Sequence, residues 1–191
     1  MQELLYLASR SPRRQQLLQQ IGITFQLVDA DINEDWDGRE NPRSYVVRMA
    51  SDKARAGARS LGDRNGAIVL GADTAVILDD RVLGKAEDTD QARMMLQQLS
   101  GRKHHVYSAV AVIKDDRVYT ATSISGICFR PLAAGEIDEY CRSGEPLGKA
   151  GGYAIQGRAA VFVEYLEGSY SGVVGLPLYE TCRLLDDAGF N

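Results

Sequence analysis

Residues Ala67-Ile68-Val69-Leu70-Gly71-Ala72 form a short run with no polar residue in it, closed by Asp73. A strand exposed on one face alternates apolar and polar side chains; a run without alternation suits a strand buried on both faces. Both sides of the sheet must then be covered, which makes the chain an α/β protein. The run predicts a strand that ends at Asp73. A carboxylate straight after a buried strand lies where α/β folds place their ligand crevices.

The remaining elements fit around that strand. Residues 3–8 read as a strand and about 12–21 as a helix, with Ser11 as a side-chain N-cap, Pro12 at the first helical position and Gly22 just past the end. A strand near 24–28 and an acidic loop at 29–40 follow, and Asn41-Pro42 opens a helix to about 61. Segments 74–78 and 81–84 flank Asp79-Asp80, a hairpin signal. Asp88 or Thr89 caps a helix to about 100; strands at 104–114 and 117–129 turn at Asp115-Asp116. A helix at 133–142, a strand at 159–166 and a helix from about Pro177 complete the chain. No linker, repeat or low-complexity segment divides the 191 residues, so one domain spanning residues 1–191 is expected: a mixed α/β sheet with helices on it, in two lobes around a cleft.

Several classes of function are disfavoured. No apolar stretch approaches the roughly 20 residues of a membrane span, and Met1-Gln2-Glu3 lacks the basic start of a signal peptide, so no membrane partner and a cytoplasmic location are expected. Cys128, Cys141 and Cys182 are too scattered for a disulfide framework or a thiolate zinc site. A net charge of −4 and 7% aromatic residues argue against a nucleic-acid partner. His104 and His105 point to opposite faces of a strand and cannot grip one metal.

The basic residues are concentrated in short segments. Arg13 and Arg14 stand in the first turn of the first helix, where free N–H groups and the positive end of the dipole already favour an anion. Adding two cations there makes physical sense if a phosphate collects both contributions. Lys53, in an alanine-rich stretch of the second helix, and Lys85, after Gly84, would complete a phosphate clamp. The loop from Asp29 to Glu40 imitates a calcium loop but places Glu34 where the sharp turn demands glycine. One of its acids can still reach a Mg²⁺ held mostly by water and phosphates. Gly144 to Ala150 is one residue short of a P-loop and lacks its Ser/Thr, which excludes a Walker-type ATPase. The glycines of Gly148 to Gly157 permit a backbone that wraps closely around a ligand, and the Gln156 amide offers a donor and an acceptor to a base edge. Gly168-Ser-Tyr-Ser-Gly172 centres on Tyr170 and is no nucleophile elbow.

Taken together, Leu7-Ala8-Ser9-Arg10-Ser11-Pro12-Arg13-Arg14, Asn33-Glu34, Lys53-Ala54, Gly71-Ala72-Asp73-Thr74, Gly84-Lys85, Lys149 to Gly157 and Val173 to Leu178 resemble the Maf family of nucleoside triphosphate pyrophosphatases, in order and over essentially the whole chain. The resemblance implies an elongated mixed α/β fold with a deep cleft, dependence on a divalent cation (Mg²⁺ or Mn²⁺), a homodimer, and hydrolysis of a nucleoside triphosphate to monophosphate and pyrophosphate. It assigns the proton acceptor to Asp73, the metal to Asp73 and Glu34, and the triphosphate to Arg13, Arg14, Lys53 and Lys85, with a hydroxyl contact from Ser9. Arg13, Thr74 and Gln156 match the branch that acts on dTTP and UTP, and Thr74 and Gln156 would read the base. Two residues depart from the family pattern: Ala86 stands where proline is usual and Gly172 where asparagine is common, which predicts looser loops. The alternative reading is a nucleotide-binding regulator of cell division with little hydrolysis.

Overall fold

The computed structural model describes residues 4–34, 36, 38–62 and 66–190. Glu3, the first residue of the expected strand at 3–8, and Asp35 and Asp37 of the acidic loop lie outside them. The elements in order are β1 (Leu5–Leu7), α1 (Pro12–Gln20), β2 (Phe25–Leu27), α2 (Pro42–Leu61), β3 (Ile68–Leu78), β4 (Arg81–Leu83), α3 (Thr89–Leu99), β5 (Lys103–Lys114), β6 (Arg117–Phe129), α4 (Ala134–Arg142), a 3₁₀ turn (Arg158–Phe162), β7 (Val163–Glu167), α5 (Tyr170–Val174) and α6 (Leu178–Asp187).

One seven-stranded sheet runs in the order β2-β1-β3-β5-β6-β7, with β4 also paired to β3. β1 lies parallel to both β2 and β3, and every other pairing is antiparallel. The sheet is therefore mixed, with helices on both faces. On one face α2 lays Val46, Met49, Ala50 and Ala54 against Ala75, Ile77, Ala109 and Ala111. The opposite face of β3, with Leu70, Ala72, Val76 and Leu78, belongs to the main core together with Leu96, Ile137, Tyr140 and Leu184 from the other helices. Period-two alternation along β3 sends odd residues toward α2 and even residues into the main core. No helix among the described residues is long and apolar enough to cross a membrane.

The strand expected to end at Asp73 does not end there. β3 is one strand of 11 residues, and it pairs with β5 without interruption from Ile68 to Ile77. On its other edge β1 covers only Ile68–Leu70 and β4 only Val76–Leu78. Gly71–Ala75 lie in the gap between these two partners, and this gap is the floor of the cleft. The hairpin at Asp79-Asp80 is present, with φ of 50° and 60° at the two turn residues.

Three further expectations are corrected. The segment read as a strand from 159 begins as the 3₁₀ turn Arg158–Phe162, because Ala159 and Phe162 point into the core while Val161 is exposed, a three-residue spacing. Ser11 occupies the N-cap position of α1 but its side chain makes no capping bond; its own N–H instead donates to Ser9 Oγ at 3.2 Å. Ala86 does not loosen its loop. Its N–H donates to the Lys149 carbonyl (3.2 Å) and its carbonyl accepts from Gly148 N–H (2.8 Å), and the first of these bonds is closed to a proline.

Candidate active site

α2 and β3 approach so closely that a Cβ on Gly71 would lie 2.6 Å from the Ala54 nitrogen and would also overlap the Ala50 carbonyl. Glycine is the residue that permits this contact. It seats α2 directly on the floor of the cleft, and Lys53 follows Val46, Met49 and Ala50 on the buried stripe of that helix. A buried ammonium needs anionic partners. Lys53 Nζ lies 2.7 Å from Asp73 Oδ1 and 2.9 Å from Glu34 Oε1. Lys85 Nζ meets the other oxygen of Glu34 at 2.5 Å.

Glu34 belongs to the acidic loop between β2 and α2, and that loop is tied down. Its carbonyl accepts from Tyr45 Oη at 2.8 Å, and Trp36 Nε1 donates to the Glu40 carbonyl at 3.1 Å. Burial alone would raise the Glu34 carboxyl. The hydrogen bonds and charges of Lys85 and Lys53 outweigh it and hold the group down at about 2. Tyr45 is pushed up to about 12, first by burial and then by the negative charges of Asp73 and Glu34. Glu34 thus stays ionised at neutral pH.

A second wall comes from the head of α1. Arg14 donates from Nε to the Gly175 carbonyl (2.8 Å) and from Nη1 to Ser9 Oγ (3.1 Å). Among the described residues neither Arg13 nor Arg14 forms an ion pair. Burial lowers the pKa of both. With no side-chain cap on α1, the helix end, two guanidiniums and Ser9 converge on one wall of the cleft, a place suited to an anion.

The third wall is the segment Gly148–Gly157. Lys85 forms a bridge with Ala150, which brings Lys85 and the Gly148-Lys149 turn side by side. Gly151 and Gly152 do not wrap a ligand: a Cβ on Gly151 would strike Val76 at 2.9 Å, and one on Gly152 would sit 3.4 Å from Ala92. These glycines pack the segment onto β3 and α3. Gln156 is exposed at the end of it. Thr74 faces the cleft from β3, but its hydroxyl is already held by Ser108 Oγ (2.7 Å) and the Gly175 carbonyl (3.3 Å).

Ser9, Arg13, Arg14, Glu34, Lys53, Asp73, Thr74, Lys85 and Gln156 all line one cleft of about 780 Å³, within the range of small-molecule sites. The reading of the sequence missed Lys149, Glu145 and Tyr153, which line it too. Lys149, whose pKa is lowered by burial and then by Arg13, was set aside with the rejected P-loop although its charge needed no P-loop to matter. Tyr153 Oη pairs with His104 Nε2 at 2.8 Å, so His104 is a buried strut behind the cleft, with burial lowering its pKa to about 4. His105, on the other face of the strand, is exposed.

Among the described residues no cluster of three or more His, Cys, Asp or Glu could hold a metal ion. The donor set is instead two carboxylates meeting at one ammonium. That suits Mg²⁺, which keeps several waters and takes one or two carboxylates plus substrate phosphates, and it does not suit an all-protein cage.

A family model described as Maf-like protein matches residues 4–188. The dTTP/UTP pyrophosphatase of Alkalilimnicola ehrlichii is 52% identical over 186 residues, covering 96% of this chain and 92% of that one. The dTTP/UTP pyrophosphatase of Aromatoleum aromaticum is 48% identical over 99% of this chain and 97% of its own length, and that of Bordetella avium 50% over 97% and 95%. Among solved structures, the Staphylococcus aureus Ham1 protein superposes with a TM-score of 0.42 at 10% identity, covering 66% of this chain and 72% of that one.

Proposed function

The chain belongs to the Maf family, and on that premise we propose that it hydrolyses dTTP and UTP to the monophosphate and pyrophosphate. The observation that carries the proposal is that one cleft sets the half-buried guanidiniums at the head of α1, which form no ion pair among the described residues, across from the carboxylates held by Lys53. A triphosphate supplies an anion for Arg13, Arg14 and Lys149, and Lys85 adds charge beside Lys149. These cations stabilise the negative charge that grows on the leaving pyrophosphate. Asp73 sits on the floor where a water facing the α-phosphorus would lie, and its carboxylate accepts the proton of that water.

Glu34 and Asp73 are the residues that would hold a divalent cation beside the phosphates. Such a cation, when bound, neutralises phosphate charge and lowers the pKa of a coordinated water. Lys53 joins the two carboxylates through its ion pairs and holds them together. Gln156, whose amide makes no hydrogen bond among the described residues, reads the pyrimidine edge, while the compact Thr74 limits the depth of the site. A base pocket that satisfies polar edges rejects bases lacking them, because its own groups would be left unpaired.

A panel of UTP, dTTP, CTP and GTP with Mg²⁺ or Mn²⁺, read by pyrophosphate release, tests this reading. UTP and dTTP are expected to be preferred, and Gln156→Glu to lower kcat/KM for UTP. Binding without turnover would favour a nucleotide-sensing regulator instead, and orthophosphate as first product would contradict the reaction.

A further inference from the structure

Glu145 is a carboxylate in the cleft that the chemistry above leaves without a task. It is no spare acid, because protein donors take both of its oxygens. Oε1 accepts from Tyr140 Oη at 2.9 Å and Oε2 accepts from the backbone N–H of Arg158 at 3.1 Å. The Tyr140 hydroxyl in turn accepts from Ala154 N–H at 3.2 Å. The two backbone groups bracket the turn that carries Gln156, and that turn is closed by Gly157 N–H donating to the Ala154 carbonyl at 3.0 Å. Between them the carboxylate fills the space beside Gly157: a Cβ there would lie 2.6 Å from both Glu145 Cδ and Oε2.

The far end of this relay is anchored. Tyr140 is buried at the last turn of α4, its ring edge-on to Phe162 with centroids 5.3 Å apart. The near end, Gln156, is exposed and has no hydrogen bond of its own among the described residues. A side chain that must meet a base edge at one angle therefore gets its placement from the backbone on either side of it. We propose that Glu145 and the Tyr140 hydroxyl form a clamp on residues 154–158, and that they are positioning residues for base selection through Gln156. The inference rests on the reading that Gln156 meets the base.

Three variants test it: Tyr140→Phe, which keeps the ring and deletes the hydroxyl; Glu145→Gln, which keeps the shape and replaces one acceptor by a donor; and Gly157→Ala, which leaves the carboxylate intact but displaces it. Gly157 has φ of −109°, so alanine strains nothing there except the contact. Each variant is compared with wild type for kcat and KM on UTP and CTP, and for inhibition by tripolyphosphate, which has the phosphates but no base. The clamp predicts that kcat/KM for UTP falls about ten-fold, mainly through KM, since bonds to charged groups are worth that much. It also predicts that the UTP:CTP preference narrows while the tripolyphosphate inhibition constant stays within two-fold. Should Glu145→Gln fail to fold, Gly157→Ala reports on the same contact. An unchanged UTP:CTP ratio in folded variants, or a tripolyphosphate constant that weakens in step with UTP, overturns the clamp. A wild-type enzyme indifferent to the base overturns the underlying reading instead, whatever the variants do.

Discussion

Asp73 stands in the middle of a buried strand with one oxygen 2.7 Å from the Lys53 ammonium, which gives the buried carboxylate a partner. Its partner Lys53 retains Glu34 when Asp73 is changed, so Asp73→Asn leaves no buried charge unpaired and is expected to fold with an unaltered melting temperature. Loss of a general base typically costs about 10²–10⁴ in rate, and that fall in kcat is expected with nucleotide affinity kept within a few-fold. Rapid-quench turnover together with calorimetric binding of a non-hydrolysable UTP analogue checks both halves; a near-wild-type kcat would make Asp73 a purely structural partner of Lys53. At this scale much of the site was legible. Nine residues named from chemical type or from the family resemblance line one cleft, and six of them are the cations and acids that phosphate chemistry demands and a core has no use for. The charge of Lys149 was legible, but Glu145 and the Tyr153–His104 pair were not, since their significance lies in what they face in the fold, and sequence spacing carries no signal of that.

Among the elements, α2 on β3 decides whether Lys53 reaches the floor at all. A methyl group on Gly71 must displace backbone of Ala50 and Ala54, which cannot yield as a flexible side chain does. Overpacking of this kind typically costs about 1–3 kcal/mol. Gly71→Ala is therefore expected to lower stability by that order in urea titrations and to reduce kcat as well, because the helix that moves is the one carrying Lys53. A loss of stability with kcat untouched would mean that the site tolerates the shift. Helices with caps and stripes were readable from local signals, as Asn41 accepting from Ser44 N–H and Asp88 accepting from Gln91 N–H show. The continuity of β3 through Asp73 was not, because a polar residue inside an apolar strand looks like an end until its pairing with Ala109 of β5 is known. The short helix α5, capped by Ser169 accepting from Gly172 N–H, escaped notice because five residues carry too little periodicity. It matters to the site, since the Gly175 carbonyl that ends it holds both Arg14 and Thr74.

The whole molecule makes its site by leaving one strand incompletely paired. β1 and β4 share an edge of β3 without meeting, and the five residues between them are where the head of α1, the acidic loop, α2 and the glycine-rich segment come together. The sequence foretold a cleft in a mixed sheet, but this gap depends on the register of three strands and could be seen only once they were paired. In the proposed reaction water attacks the α-phosphorus of a pyrimidine nucleoside triphosphate and pyrophosphate departs toward the cations. Hydrolysis of UTP in ¹⁸O-labelled water with Mg²⁺ present, followed by mass spectrometry of both products, tests it most directly. One labelled oxygen is expected in UMP and none in pyrophosphate; label in pyrophosphate, or in orthophosphate released as first product, would rule out attack at the α-phosphorus.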